Sequence, residues 1–281
     1  MSDESSFVGT SKSELIIESI NNNKFLQVGV GFIVGIICII FILFIKFILY
    51  RFNRNKKASP YLIKGTQSGK KTRIVYQDPE SDNSIPIVRS RDEKGGIEFS
   101  YSLWLNVNDW INYKTGLWKH VFHKGSSSSD PNAFEQTNNT NSLIASPGLW
   151  FHKDTNSLRI YLNTFHNMNE YIDVDNIPAN KWFHLSIIVR ETSLNLYVNG
   201  YLKQKYTLSS LPRQNFGNVY FGLNGGFDGF ISNVRYYDYA LSSAEINGAI
   251  NNMPSTINCV NNSGNAPPYL NTNWWQNEYP N

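Results

Sequence analysis

Apolar positions along this chain fall into two regimes. From Val28 to Ile45 the run VGVGFIVGIICIIFILFI holds no charged residue, and Phe47-Ile48-Leu49-Tyr50 carry it past Lys46. About 20 apolar residues in a helix cross the hydrocarbon core of a bilayer, so residues 25–50 are predicted to be one transmembrane helix. A cleaved signal peptide would need a positive leader, an apolar stretch of only about 7–15 residues and a small-residue cleavage site. Residues 1–24 are instead polar and slightly acidic, with nothing resembling A-x-A. Lys46 near the end of the span reads as a snorkelling anchor, its stem along the helix and its ammonium at the headgroups.

Beyond the span the pattern changes period. Residues 51–94 open with the basic collar Arg51–Lys57 and continue as a polar stretch containing Pro60, Pro79 and Pro86, which reads as a stalk. From Gly95 short alternating runs follow one another: Ile97–Asn106, Leu117–Lys124, Leu143–Phe151, Leu158–Asn163, Tyr171–Asp175, Trp182–Val189, Leu194–Val198, Tyr201–Thr207, Val219–Leu223 and Phe230–Tyr237. That rhythm predicts an all-β antiparallel sandwich over 95–250. Asn199-Gly200 supplies two residues tolerant of positive φ, so the runs on either side should form a tight type I′ hairpin. Gly125–Asn141 is a Ser/Asn-rich loop between strands. Ser242-Ser-Ala-Glu245 has the spacing of a capping box and predicts one short helix ending before Pro254. The tail 251–281 is rich in Asn and Pro, but Trp274, Trp275 and Tyr279 make its end too aromatic for an inert linker.

Composition supports strands and turns: 14% of residues are aromatic and only 17% charged. The net charge of +3 is small and no basic stripe argues for nucleic acid. Lys and Arg flanking a span stay on the cytosolic side. Arg51, Arg54, Lys56 and Lys57 follow the span against Lys12 and Lys24 before it, so the C-terminal domain is expected to be cytosolic. The only cysteines are Cys38 in the span and Cys259 in the tail, which leaves the sandwich without a disulfide. The sequons at Asn138 and Asn261 would then never meet the luminal transferase. Gly31 and Gly35 form a G-x-x-x-G that would let two helices approach, although glycine is common in such helices.

Candidate chemistry is sparse. His120 and His123 lie three apart in a predicted strand and should face opposite ways, against joint metal ligation. His184 shares a face with Trp182 and Ser186, where packing or orientation outweighs proton transfer. No nucleophile elbow, P-loop or dinucleotide fingerprint is present, and no cofactor is called for. The alternation suggests a ligand-binding surface. If Phe99, Tyr101, Leu103 and Leu105 face the core, Trp104 and Asn106 face outward, and Arg159, Tyr161 and Asn163 lie opposite Leu158, Ile160 and Leu162. The opposite parity would bury Trp104.

Several stretches carry a family resemblance. Phe99-Ser-Tyr-Ser-Leu-Trp104-Leu looks like the opening strand of concanavalin A-like domains of the laminin G-like group. Ile177-Pro-Ala-Asn-Lys-Trp182-Phe-His184-Leu-Ser, Leu194-Asn-Leu-Tyr-Val-Asn199-Gly200 and Phe227-Asp228-Gly229 through Glu245-Ile246 resemble later signatures of the same group, in order, from about Ile97 to Ile250. The resemblance implies a two-sheet jelly roll that often binds carbohydrate or protein and sometimes calcium. Asn199 stands where many members have Asp, and no acidic cluster reads as a calcium cage. A related branch holds glycoside hydrolases, which place two carboxylates about 5–5.5 Å apart when they retain configuration. The nearest candidates are Glu170, Asp173 and Asp175, and on one strand Glu170 points away from the other two. No catalytic residue is therefore expected. A span followed by such a domain also resembles membrane-associated proteins of large DNA viruses. The leading expectation is a membrane-tethered binding or structural module, as in a virion membrane or minor capsid component with a capsid-protein partner. A cell-surface carbohydrate-binding lectin or adhesion receptor is the alternative, and a membrane-bound glycosidase the third.

Overall fold

The computed structural model describes residues 24–90, 92–93, 96–110, 112–128, 130–132 and 143–257. The segment before Lys24, most of the Gly125–Asn141 loop, both sequons, Cys259 and the Trp274–Tyr279 end of the tail lie outside the described residues. The chain divides into two compact units, Met1–Lys56 and Lys57–Asn281.

In the first unit, helix α1 (Lys24–Ala58) begins and runs through the apolar stretch. Among the described residues it is the one helix long and apolar enough to cross a membrane, over Val28–Leu49. Those 22 residues rise about 33 Å at 1.5 Å each, close to the thickness of a hydrocarbon core.

The second unit is a sandwich of two antiparallel sheets. The strands are β1 (Tyr61–Ser68), β2 (Arg73–Val75), β3 (Asp92–Glu93), β4 (Gly96–Asp109), β5 (Lys119–Gly125), β6 (Ala145–Phe151), β7 (Ser157–Leu162), β8 (Glu170–Asp175), β9 (Trp182–Arg190), β10 (Ser193–Val198), β11 (Tyr201–Thr207), β12 (Asn218–Phe221) and β13 (Asp228–Tyr237). The first sheet runs β1-β13-β4-β9-β10-β11, with β3 also pairing β4, and the second runs β2-β12-β5-β6-β7-β8. Period-2 alternation sends one face of each strand inward. Phe99, Tyr101, Leu103 and Leu105 of β4 meet Phe183, Leu185, Ile187 and Val189 of β9 in one core with Leu158, Ile160, Ile172 and Val174 of the second sheet.

The hairpin and the helix have clear local causes. Asn199 (φ 51°) and Gly200 (φ 84°) turn β10 into β11, with Val198 opposite Tyr201. Asn199 also fastens the turn to β9, because its Oδ1 accepts from His184 N at 2.8 Å and its N donates to His184 O at 2.9 Å. Helix α2 (Ser243–Asn251) opens on a closed capping box: Glu245 N donates to Ser242 Oγ and Ser242 N donates to Glu245 Oε2. Its Ile246 packs with Ile188, Tyr237, Ala240 and Leu241 on the outer face of the first sheet.

One boundary is corrected. Tyr61–Ser68 and Arg73–Val75 lie inside the stretch read as a stalk, yet they are sheet: β1 pairs β13 and β2 pairs β12. The register of β1 shifts between Tyr61 and Ile63 and again between Ile63 and Thr66, and Gly65 has φ 103°. Leu62 and Ile63 are consequently both buried, so the alternation that marks a strand is missing from the sequence. The chain after β2 is tied down too, since Ile87 N donates to Gln77 Oε1 at 2.8 Å and Gln77 Nε2 donates to Ile85 O at 3.0 Å. At the other end, Ser255 N donates to Ser232 Oγ and Thr66 N to Ile257 O, docking the start of the tail on β13 and β1.

Candidate functional site

The five residues read as one surface do not assemble. β4 and β7 belong to different sheets, and the outer faces of a two-layer sandwich point in opposite directions. On the first sheet, β4 turns Ser102, Trp104 and Asn106 away from the core, but Trp104 is buried edge-on against the His184 ring, centroids 5.2 Å apart. Asn106 is half-buried, and its Oδ1 has no partner. His184 Nε2 bonds Ser102 Oγ at 2.8 Å while its Nδ1 has none, and burial lowers its pKa to about 4.

On the second sheet, Arg159 is held by Asp173 through two bonds of 2.6 Å and lies over Tyr171 (3.8 Å) and Trp118 (4.5 Å). Tyr161 is buried beside Trp150. Asn163 is buried and structural: its side chain accepts from Ala145 N and donates to the carbonyls of Leu143 and Met168, while its own carbonyl accepts from Arg213 N. Asn163 thereby ties the β7–β8 loop to the β11–β12 loop.

The two histidines of β5 contradict the alternation argument. Register shifts between His120 and Phe122 and between His123 and Gly125 put Val121 and Phe122 both in the core, and bring the two imidazoles onto one face. Leu223 N donates to His120 Nδ1 (2.9 Å), which makes His120 Nε2 the protonated nitrogen. That nitrogen donates to His123 Nδ1 (2.8 Å), and His123 Nε2–H is left to donate to Ser126 O (2.9 Å). Every ring nitrogen is used with both rings neutral. Burial lowers His120 well below the ordinary range and His123 to about 4. The pair is a structural relay beneath Trp150 and Tyr220. Among the described residues no group of three or more His, Cys, Asp or Glu is placed to hold a metal ion.

The carboxylates weighed for glycoside chemistry are engaged elsewhere. Glu170 is buried and accepts from Ser209 N and Oγ and from Thr164 Oγ1. Asp173 is locked to Arg159 on the opposite face of β8.

One open feature of the sandwich is a cavity of about 800 Å³ between the sheets at one end. Phe99 and Tyr101 of β4 and Tyr236 of β13 line it on the first sheet, and Lys124 of β5, Ser146 and Asn218 on the second. Tyr236 Oη is fixed by donation to Val88 O, and its ring stands edge-on to Tyr101. Phe165 and the 211–216 segment contribute to its lining, and the two are joined by Phe165 N donating to Leu211 O. Phe165, Leu211 and Phe216 are exposed, Phe216 to 95%. Largely apolar clefts and cavities of this size with a few convergent polar groups are where small ligands bind. The readable signal in the sequence was Phe122-His-Lys124: at period 2, Lys124 shares Phe122's apolar face.

Parts of this chain are similar to solved structures at low sequence identity. The binding domain of botulinum neurotoxin DC, solved in complex with SialylT, has 19% identity and a TM-score of 0.42, covering 56% of this chain and 35% of that one. The binding domain of botulinum neurotoxin serotype G has 15% identity and a TM-score of 0.43, covering 65% and 45%. This chain thus spans less than half the length of those chains. No curated protein matches it. A family model described as the concanavalin A-like lectin/glucanases superfamily, of laminin G type, matches residues 79–247, more than half of the sequence. With the Asn199-Gly200 hairpin and strands β4 to β13 inside that match, the chain belongs to the concanavalin A-like lectin/glucanases superfamily.

Proposed function

We propose that this chain is a membrane-anchored protein whose sandwich binds a ligand without transforming it, and that the ligand's body enters the cavity between the sheets. The observation that carries the reading is the open, aromatic-walled space of about 800 Å³ between Tyr101 and Lys124. Anchoring is supported by the apolar helix Val28–Leu49, and a cytosolic sandwich by the collar that follows it. In a cytosolic position the domain would act on the inner side of its membrane, as a module linking a virion's internal membrane to a capsid layer. Immunogold labelling of virions and host membranes tests that role.

The cavity is tested by photolabelling the full chain in lipid nanodiscs with a long-chain alcohol bearing a diazirine. Mass spectrometry should find label on peptides carrying Tyr101, Lys124 or Phe165. Label confined to α1 would refute the site. A second reading, a carbohydrate-binding receptor, is favoured by Tyr171, which is half-exposed beside the fixed Arg159 guanidinium, a plate on which a sugar ring can stack. Glycan binding that Tyr171→Ala abolishes, with cavity labelling intact, would establish that reading.

A further inference from the structure

We infer that the cavity takes an amphipathic anion, its single acidic head held by Lys124 and its apolar chain laid against Phe99 and Tyr101. This rests on the cavity reading above and adds the chemical class of the ligand.

Lys124 occupies an unusual place for a lysine. β5 turns Lys124 inward, onto the face that carries Phe122, and the residue is only 7% exposed. Its ammonium donates to the carbonyls of Asn215 and Gly217, both at 2.8 Å. An ammonium has three donors, so one remains for a ligand, and no carboxylate is among its partners. A buried charge that lacks a counter-ion is costly unless an anion arrives. Burial accordingly pulls Lys124 down to about 8.

A second donor lines the same cavity. His123 pairs Gly148 and Gly125 pairs Ala145 across a register shift, which leaves Ser146 and Pro147 opposite Lys124. Ser146 is 5% exposed, lines the cavity, and its Oγ has no hydrogen-bond partner. One ammonium and one hydroxyl match a monoanion such as a long-chain carboxylate better than a phosphate dianion. The mouth favours the same class. Phe165, Leu211 and Phe216 expose apolar surface where a chain would enter, and Arg213 lies over the Phe165 ring at 5.5 Å. A neutral apolar ligand would leave the third donor of Lys124 and the Ser146 hydroxyl unused.

The other ionisable groups lining the cavity are Asp78 and Arg89 from the segment between β2 and β3, Arg213 from the β11–β12 loop, Tyr101 from β4 and Tyr236 from β13. Burial raises both tyrosines above their ordinary value. Lys124, pulled down to about 8 by burial, loses its charge as the pH rises from 7 to 9.

The test compares two diazirine probes of equal chain length, a fatty acid and its alcohol, on the full chain in nanodiscs, with labelling of cavity peptides as readout. The acid should label at lower concentration than the alcohol, and its apparent affinity should fall about tenfold between pH 7 and 9 while the alcohol's holds. Lys124→Gln should abolish the acid's advantage and keep alcohol labelling, which also certifies the fold of the variant. Equal labelling by acid and alcohol at pH 7, or an advantage that survives both pH 9 and Lys124→Gln, overturns the anion inference while the cavity reading stands. Labelling of cavity peptides by neither probe overturns both.

Discussion

Lowering the pH from 7 to 5 should destabilise the sandwich by several kcal/mol, through histidines it holds neutral. The relay Leu223 N–H, His120, His123, Ser126 O has one consistent set of protons and no place for another. His184 is buried against Trp104. His123 and His184 fall from 6.5 to about 4, and His120 shifts in the same direction, in each case with burial as the leading cause. Depressed folded-state values mean that between pH 6.5 and 4 the unfolded chain binds protons the folded one refuses, so stability drops as pH falls through that window and is unaffected above it. For one group with these values the loss at pH 5 is about 2 kcal/mol, hence about 4 kcal/mol for His123 and His184 together, with His120 adding to it. That is a large share of the 5–15 kcal/mol typical of a domain. Urea unfolding of the full chain in detergent, followed by near-UV circular dichroism at pH 7, 6 and 5, measures it. His184→Gln keeps a hydrogen-bonding partner for Ser102 and removes one titrating group, so its loss from pH 7 to 5 should be about 2 kcal/mol smaller. An unfolding midpoint independent of pH over this range would refute the buried, neutral relay.

Three further outcomes are expected. Gly200→Val should cost about 1–3 kcal/mol in urea unfolding, because a β-branched residue is strained at φ 84° and its Cβ would meet Ile250 Cδ1 at 2.9 Å. Arg159→Lys should cost about 1–2 kcal/mol by the same measurement, since a lysine cannot reproduce the two-bond grip on Asp173 or lie flat over Tyr171. In eukaryotic cells the chain should show no endoglycosidase-sensitive shift; a shift abolished by Asn138→Gln would place the sandwich in the lumen and favour the receptor reading.

Much of the fold was legible because most strands obey period 2 without interruption. Ile97 through Val107 alternates over the whole of β4, and Asn199-Gly200 fixes its turn through two positive-φ residues. Legibility failed where a bulge breaks the period: Leu62 and Ile63 face the core together, hiding β1, and Val121 and Phe122 do the same in β5, which put His120 and His123 on one face. The candidate site was less readable still. Whether Trp104 and Arg159 share a surface depends on which sheet each strand joins, and strand order is a non-local property that alternation does not encode. Lys124 is the instructive case. Its position two after Phe122 marked it as inward-facing, but only the gap between the sheets at that end makes an inward lysine something other than a packing fault.

What occupies the space between Tyr101 and Lys124 decides how the sandwich binds. Crystals of the full chain soaked with a terminally brominated fatty acid would locate the ligand directly by bromine anomalous scattering. Continuous density is expected from Lys124 Nζ along Tyr101 and Phe99, with the bromine peak inside the cavity or at its mouth beside Phe165. A bromine peak on an outer face of either sheet, beside Trp104 or Tyr171, with the cavity empty, would contradict the cavity reading.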